Sequence, residues 1–204
     1  VLLLGCDVDD GGGQCLAGYV DRRPSRTRAA ILVLDVELRD GFGGAANEAI
    51  AAVEGASYLL LCHDDVEFEP DAIRMLVEEA FRSNAGIAGP KIVDADRPEV
   101  LLEVGRSIDR FGVPHTGVET GETDQEQHDG VRDVFYVSSA ALLVRADLFR
   151  ELGGFTPDAF PGAEDLDLCW RARLMGARVL VVPDARARHH VASSRREGVA
   201  AAYT

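Results

Sequence analysis

Short apolar runs that alternate with helical stretches constrain this chain more than any other feature. Residues 58–62 ("YLLLC") have strand length and no polar break. Beyond "HDDVEFE", Pro70 suits a first helical turn, and Ile73, Leu76, Val77, Ala80 and Phe81 form one apolar stripe. Asn84 and Gly86 are stop signals, and residues 87–93 return as a strand broken at Gly89-Pro90. The same alternation extends both ways. Residues 1–4 and 29–34 read as strands, with a helix expected over 14–21. Ala46, Ala49, Ile50 and Val53 mark a helix face that Gly55 ends. A strand over 134–144, helices over 146–152 and 164–175, and a last strand over 178–182 complete the pattern. Alternation of this kind predicts an α/β fold, a mostly parallel sheet covered by helices on both faces. Ligands in such sheets gather outside the carboxyl ends of strands, where His63-Asp64-Asp65 falls. Residues 94–133 are polar and Gly-rich, and "GETDQEQHDG" (121–130) is their least core-like part. That segment is expected to be a loop or flap.

Composition removes several function classes. The 204 residues suffice for one domain with a real core, and a hydrophobic content of 47% excludes disorder. No apolar run approaches the roughly 18–20 residues of a membrane span. The chain opens on Val1, which predicts a domain excised from a longer protein. A formal charge of −14 argues against a general nucleic-acid binder, which needs clustered Lys and Arg. The same charge means that a phosphorylated ligand would need a cation beside it, and a divalent metal is the obvious one. The four cysteines (Cys6, Cys15, Cys62, Cys169) form no CxxC pair and read as free thiols in a reducing compartment.

Three polar clusters could carry chemistry, and each has a plain alternative. His63-Asp64-Asp65 is either a solvated turn before a helix or a strand end offering carboxylates to Mg²⁺ or Mn²⁺. Glu164, Asp165 and Asp167 crowd a helix start, where the helix dipole alone favours acids. Crowding and partial burial would also raise a carboxyl pKa there, as a general base requires. His189-His190 follows the last strand and is either a surface pair or a source of a metal ligand. Each cluster is weak alone, but their order along the chain is specific.

With these motifs in place, the chain resembles a bacterial family 2 glycosyltransferase with the GT-A fold, of the rhamnosyl- or galactofuranosyl-transferase kind. "GFGGAAN" (41–47) is similar to the family's N-x-G-x-x-x-A-x-N segment, with Arg39 where an Asn often leads. "LLLCHDDVEFEPDAI" resembles its strand, acidic motif and following helix. "AALLVRADLFRELGGF" resembles the segment before the catalytic loop. "AEDLDLCWRARLMGARVLVVPDARARHH" resembles the stretch from the Glu-Asp motif to a metal-side His. The resemblance implies that residues 1–204 are one GT-A domain, lacking its first strand in one of the two alignments described below.

The family's roles carry over as implications. Asp65 would hold the metal, with His189 completing that site and His190 the lesser choice. Asp64 would touch the donor ribose or a metal water. His63 stands where the first acid of a DxD motif is expected. Asp165 would be the base of an inverting transfer from a nucleotide-diphosphate sugar to a glycan or lipid-linked acceptor, with Mg²⁺ or Mn²⁺ offsetting charge on the leaving group. Glu164 and Trp170 are the acceptor-side candidates. Leu166, Trp170 and Leu174 share a helical face, so core packing is the competing expectation for Trp170. The nucleotide-base residues depend on the alignment. If residues 1–4 are the second strand, Asp7 or Asp10 lies near the base. If they are the first, Asp35 and Asp40 fall in the matching pattern. By analogy the work is envelope glycan synthesis in the cytoplasm, at the inner face of the plasma membrane where the full chain is anchored. A nucleotidyltransferase of related fold and a non-catalytic sugar-nucleotide-binding domain are the alternatives. The acidic "GCDVDDGGG" argues against the first of these.

Overall fold

The computed structural model describes residues 2–6, 15–18, 30–31, 41–51, 53, 55–63, 65–156 and 162–191. Asp7, Asp10, Asp35, Asp40 and Asp64 lie outside these residues. The chain begins with three strands, β1 (Leu2–Cys6), β2 (Cys15–Gly18) and β3 (Ala30–Ile31). Helix α1 (Gly41–Ala51) leads to β4 (Tyr58–His63), β5 (Val66–Phe68) and α2 (Ala72–Arg82). Next come β6 (Ile87–Asp94), β7 (Leu101–Glu103), the small ladder of β8 (Ser107–Ile108) with β9 (Pro114–His115), and β10 (Arg132–Asp133). The chain then forms β11 (Ala141–Arg145), α3 (Ala146–Glu151), α4 (Glu164–Leu174) and β12 (Val179–His189).

The main sheet runs β10-β12-β6-β11-β4-β1-β2. β1 is parallel to β3 and β4, and β6 is parallel to β12. β11 runs against both β4 and β6, so the sheet is mixed where a mostly parallel one was expected. The helix expected over 14–21 is a strand at Cys15–Gly18, antiparallel to β1. Its apolar residues serve sheet pairing, a case where tertiary context overrides a weak local signal. β1 lies beside β4 with β3 on its far side.

Strand alternation divides the core into two layers. Leu59, Leu61, Ile87, Leu142, Val144 and Val179 face α1, α3 and α4. Leu60, Ala88, Leu143, Leu180 and Val182 face α2. Successive strand side chains point to opposite faces, so a continuous apolar run is what a sheet covered on both sides requires. On α2 the buried positions are Ala72, Leu76 and Ala80. Phe81, counted in the expected stripe, is exposed. It sits at the edge of that face, one residue from the helix end.

The polar segment after β6 is tied down. Lys91 is 2% exposed, and its Nζ lies 3.0 Å from Asp124 Oδ1 and 2.5 Å from Asp129 Oδ1. Arg186 of β12 reaches Asp124 Oδ2 at 3.0 Å. A buried ammonium is costly unless paired, so this network anchors "GETDQEQHDG" to the middle of the sheet. Asp124→Ala leaves Lys91 and Arg186 without their shared buried partner. It should lower unfolding stability by about 3 kcal/mol. An unchanged urea midpoint would show that the network does not hold the segment.

Candidate active site

The carboxyl end of β4 forms one half of the site. Its apolar residues are sealed in the core, and the strand ends on His63, whose N–H donates to Ala140 O at 3.2 Å. Beyond a short turn, β5 runs antiparallel to the end of β12, with Val66 opposite His189 and Glu67 opposite Arg188. His190 N–H donates to Asp65 O at 3.0 Å, which closes the pairing. This register places Asp65 Oδ1 3.1 Å from His189 Nε2. His190 lies on the other side of the strand and meets Glu67 Oε1 at 3.1 Å.

β12 reaches this register through a bulge. Val182 is opposite Pro90 and Arg186 opposite Lys91, so Pro183, Asp184 and Ala185 have no ladder partners. The two prolines supply no N–H where pairing breaks, which suits a bulge there. The "VPDA" motif is therefore the device that aims the last turn of the strand at Asp65.

His63 belongs to the same cluster. One ligand atom from each of His63, Asp65 and His189 lies within 4.8 Å of the others, the one such cluster of three among the described residues. The His63 and His189 rings meet edge-on at 5.6 Å. Burial, with His189 nearby, lowers the His63 pKa to about 4, so the imidazole is neutral and able to ligate near pH 7. His189 Nε2 is buried and makes no hydrogen bond, although Asp65 Oδ1 is close. Such an orphaned atom beside a carboxylate fits a cation between them. Two imidazoles and a carboxylate suit Mn²⁺ better than Mg²⁺, which prefers oxygen. Sequence reading credited Asp65 and His189 but treated His63 as a departure from the motif. The signal was its place in the first position of that motif.

The other half of the site is α4. Its inward face is Asp165, Leu168, Cys169 and Ala172, at i, i+3, i+4 and i+7. Asp165 is thus on the core side and only 6% exposed. Its Oδ2 accepts from Ser139 N–H at 2.9 Å and its Oδ1 from Leu166 N–H at 2.7 Å. Burial raises its pKa from 3.8 to about 6, against the pull of the Ser139 N–H. Desolvation is the larger cause, and the Glu103 anion adds to it. Asp167 does not take part. It bonds Thr156 and Arg171, which holds its carboxyl below the ordinary range.

The inward face of α4 differs from the one expected. Trp170 is 46% exposed and stands edge-on to Phe135 at 5.6 Å, and Leu174 is also exposed. The core expectation for Trp170 fails because Leu168 and Cys169 take the buried positions. Glu164 opens the helix against Gly43 of α1. The family-like Asn47 of α1 has a structural task. Its side chain both donates to Phe155 O and accepts from Phe155 N–H, each at 2.9 Å. Gly154 passes so close beneath Asn47, at φ 78°, that a side chain has no room there. α1 thereby fixes the chain leading into α4.

Ser139 joins the halves. Its N–H serves Asp165, and its Oγ lies 3.3 Å from His63 Nε2. Next to it, Ser138 N–H donates to Glu103 Oε1 at 3.2 Å, and Glu103 Oε2 accepts from Arg106 Nε at 2.6 Å. Ser138, Ser139, Glu103 and Arg106 were absent from the sequence reading. Glu103 could have been found as the lone acid in the apolar run "VLLEV" (100–104).

Comparison with known proteins defines the class and then the family. A solved structure described as GalNAc-T7 with UDP, GalNAc and Mn²⁺ superposes at TM-score 0.59 and 16% identity, over 74% of this chain and 30% of its own. That likeness places the fold among GT-A glycosyltransferases. The sequence profile described as "Glycosyltransferase like family 2" matches residues 4–202, and the chain belongs to this family. The chain is 28% identical over 174 residues to the N-acetylglucosaminyl-diphospho-decaprenol L-rhamnosyltransferase of Mycobacterium tuberculosis. It covers 57% of that protein, with 76% of its own length aligned. A pre-mycofactocin glycosyltransferase of the same organism is 27% identical over 162 residues, 78% of this chain and 32% of that protein. The O-antigen biosynthesis protein RfbC of Myxococcus xanthus is 26% identical over 170 residues, 74% of this chain and 12% of that protein. This chain therefore spans little more than half, or less, of the curated relatives it matches. Family membership also leaves the nucleotidyltransferase reading without support. No helix among the described residues is long and apolar enough to cross a membrane.

The raised Asp165 pKa has a stability consequence. The neutral carboxyl is favoured in the fold, so its contribution is full below the unfolded value near 3.8 and is lost as pH rises to about 6. Wild type should lose about 2 kcal/mol relative to Asp165→Asn between pH 4 and pH 7, read from urea unfolding. A pH-independent difference would mean that Asp165 titrates normally.

Proposed function

We propose that this domain transfers a sugar from a nucleotide-diphosphate donor to an acceptor hydroxyl with inversion, using Asp165 as general base. The observation that carries the reading is the pairing, across Ser139, of a buried carboxylate with a His63/Asp65/His189 cluster. The cluster would hold Mn²⁺, or Mg²⁺ less well. A bound cation would supply positive charge to the diphosphate of an otherwise acidic chain. Asp64, beside Asp65 in sequence, would face the ribose or a metal-bound water, and Asp7 or Asp35 the base. Glu164 and Trp170 would border the acceptor.

Asp165 has the properties the step needs. Its carboxyl is fixed by two backbone N–H groups, and its pKa of about 6 leaves it ionised yet basic near pH 7. It takes the acceptor hydroxyl proton. The oxygen then bonds to the anomeric carbon on the face opposite the nucleotide, and the bond to the diphosphate breaks with its electron pair leaving on the phosphate oxygen. The relative that acts on a decaprenol-linked saccharide supports a glycan or lipid-linked acceptor and a role in envelope glycan synthesis. On this reading the domain would work in the cytoplasm, at the inner face of the plasma membrane if the full protein is anchored there. On this reading residues 1–204 are one GT-A domain.

The test is release of nucleoside diphosphate from UDP-, dTDP- and GDP-sugars. Mn²⁺ should support the reaction better than Mg²⁺, and EDTA should abolish it. Asp65→Ala and Asp165→Asn should each lower the rate about a hundred-fold or more. Full activity in EDTA would remove the metal from the mechanism, and full activity in Asp165→Asn would remove the base. The rate should also rise with pH through about 6 as Asp165 ionises.

A further inference from the structure

We propose that Glu103 and Arg106 are positioning residues for the base, holding the Ser138–Ser139 turn in place and setting the charge around Asp165. The inference rests on the reading of Asp165 as base. Glu103 is 4% exposed, and a carboxylate so buried must be compensated. It has two partners, Arg106 Nε at 2.6 Å and Ser138 N–H at 3.2 Å. Asp165 accepts the N–H of the next residue, Ser139, at 2.9 Å. Two buried carboxylates from different elements thus hold consecutive peptides of one turn. A shift of either peptide would move Asp165 against the His63 side of the site.

Arg106 is fixed from its own backbone. Its N–H donates to Tyr136 O at 2.8 Å, and its O accepts from the N–H groups of Phe135 and Tyr136, each at 3.1 Å. Its guanidinium lies 5.8 Å from the Tyr136 ring centroid. Among the described residues, the charged groups that act most on Asp165 are Arg106 and Glu103, both from the polar segment after β6. Tyr136, from the stretch before β11, and Cys169, from α4 itself, also face it. Burial raises the pKa of both, so both are neutral near pH 7. Glu164 is its neighbour in the chain, and His63 is linked to it through Ser139. The Arg106 cation favours the ionised base and the Glu103 anion disfavours it, so removing either one alone should act in opposite directions.

The experiment is an NMR titration of the metal-free protein with ¹³C-carboxyl-labelled aspartate. The Asp165 signal is the one that Asp165→Asn removes. In wild type it should titrate near 6. Arg106→Met should move the midpoint up by about one unit, and the isosteric Glu103→Gln should move it down by about one unit. Arg106→Lys should stay near wild type. Midpoints unchanged in both variants, or displaced in the same direction, would overturn the proposal. The acid limb of nucleoside diphosphate release, measured on the same variants, should follow the NMR midpoints. NMR shifts without a matching limb would uphold the Glu103–Arg106 role and remove Asp165 as the base, so the two readings fail separately.

Discussion

The antiparallel pairing of β5 with the end of β12 is the constraint on which the site depends. Asp65 and His189 are far apart in sequence, and only the register Val66 opposite His189 brings them within 3.1 Å. Side chains alternate along a strand, so a slip of one residue would exchange His189 for His190. The bulge over residues 183–185 sets that register, and it lies beside the Lys91 anchor. This end of the sheet is thus fixed from beneath by a buried ion network and from above by a short ladder.

The framework was largely legible in the sequence. The apolar runs at 58–62 and 87–93 and the stripe after Pro70 became β4, β6 and α2, because buried strands and amphipathic helices leave strong local patterns. Cys15–Gly18 was misread, since a short apolar run does not declare its period. β11 was seen as a strand but not as one reversed between parallel neighbours, because strand direction is set by connections and not by composition.

The site was legible in part. Asp65, Asp165 and His189 sit in motifs that are ordered along the chain, and the structure brings Asp65 and His189 together. Asp165 is linked to them through Ser139. Ser139 was not legible, because its contribution is a backbone N–H and a hydroxyl that nothing in its neighbours marks. The polar segment after β6 was read as a loop or flap from its composition. Its acids Asp124 and Glu103 are buried ion-pair partners, and composition cannot tell a solvated acid from a paired one.

Ser139 has one further consequence. A single residue gives its amide to the Asp165 carboxyl and sets its hydroxyl beside the His63 imidazole. Whatever rotates that peptide is felt on both sides at once. If the cluster takes a cation as proposed, its occupancy and the protonation of Asp165 would be thermodynamically linked, and linkage is reciprocal. On the proposed reading, the base would respond to whether the donor-side charge is already in place.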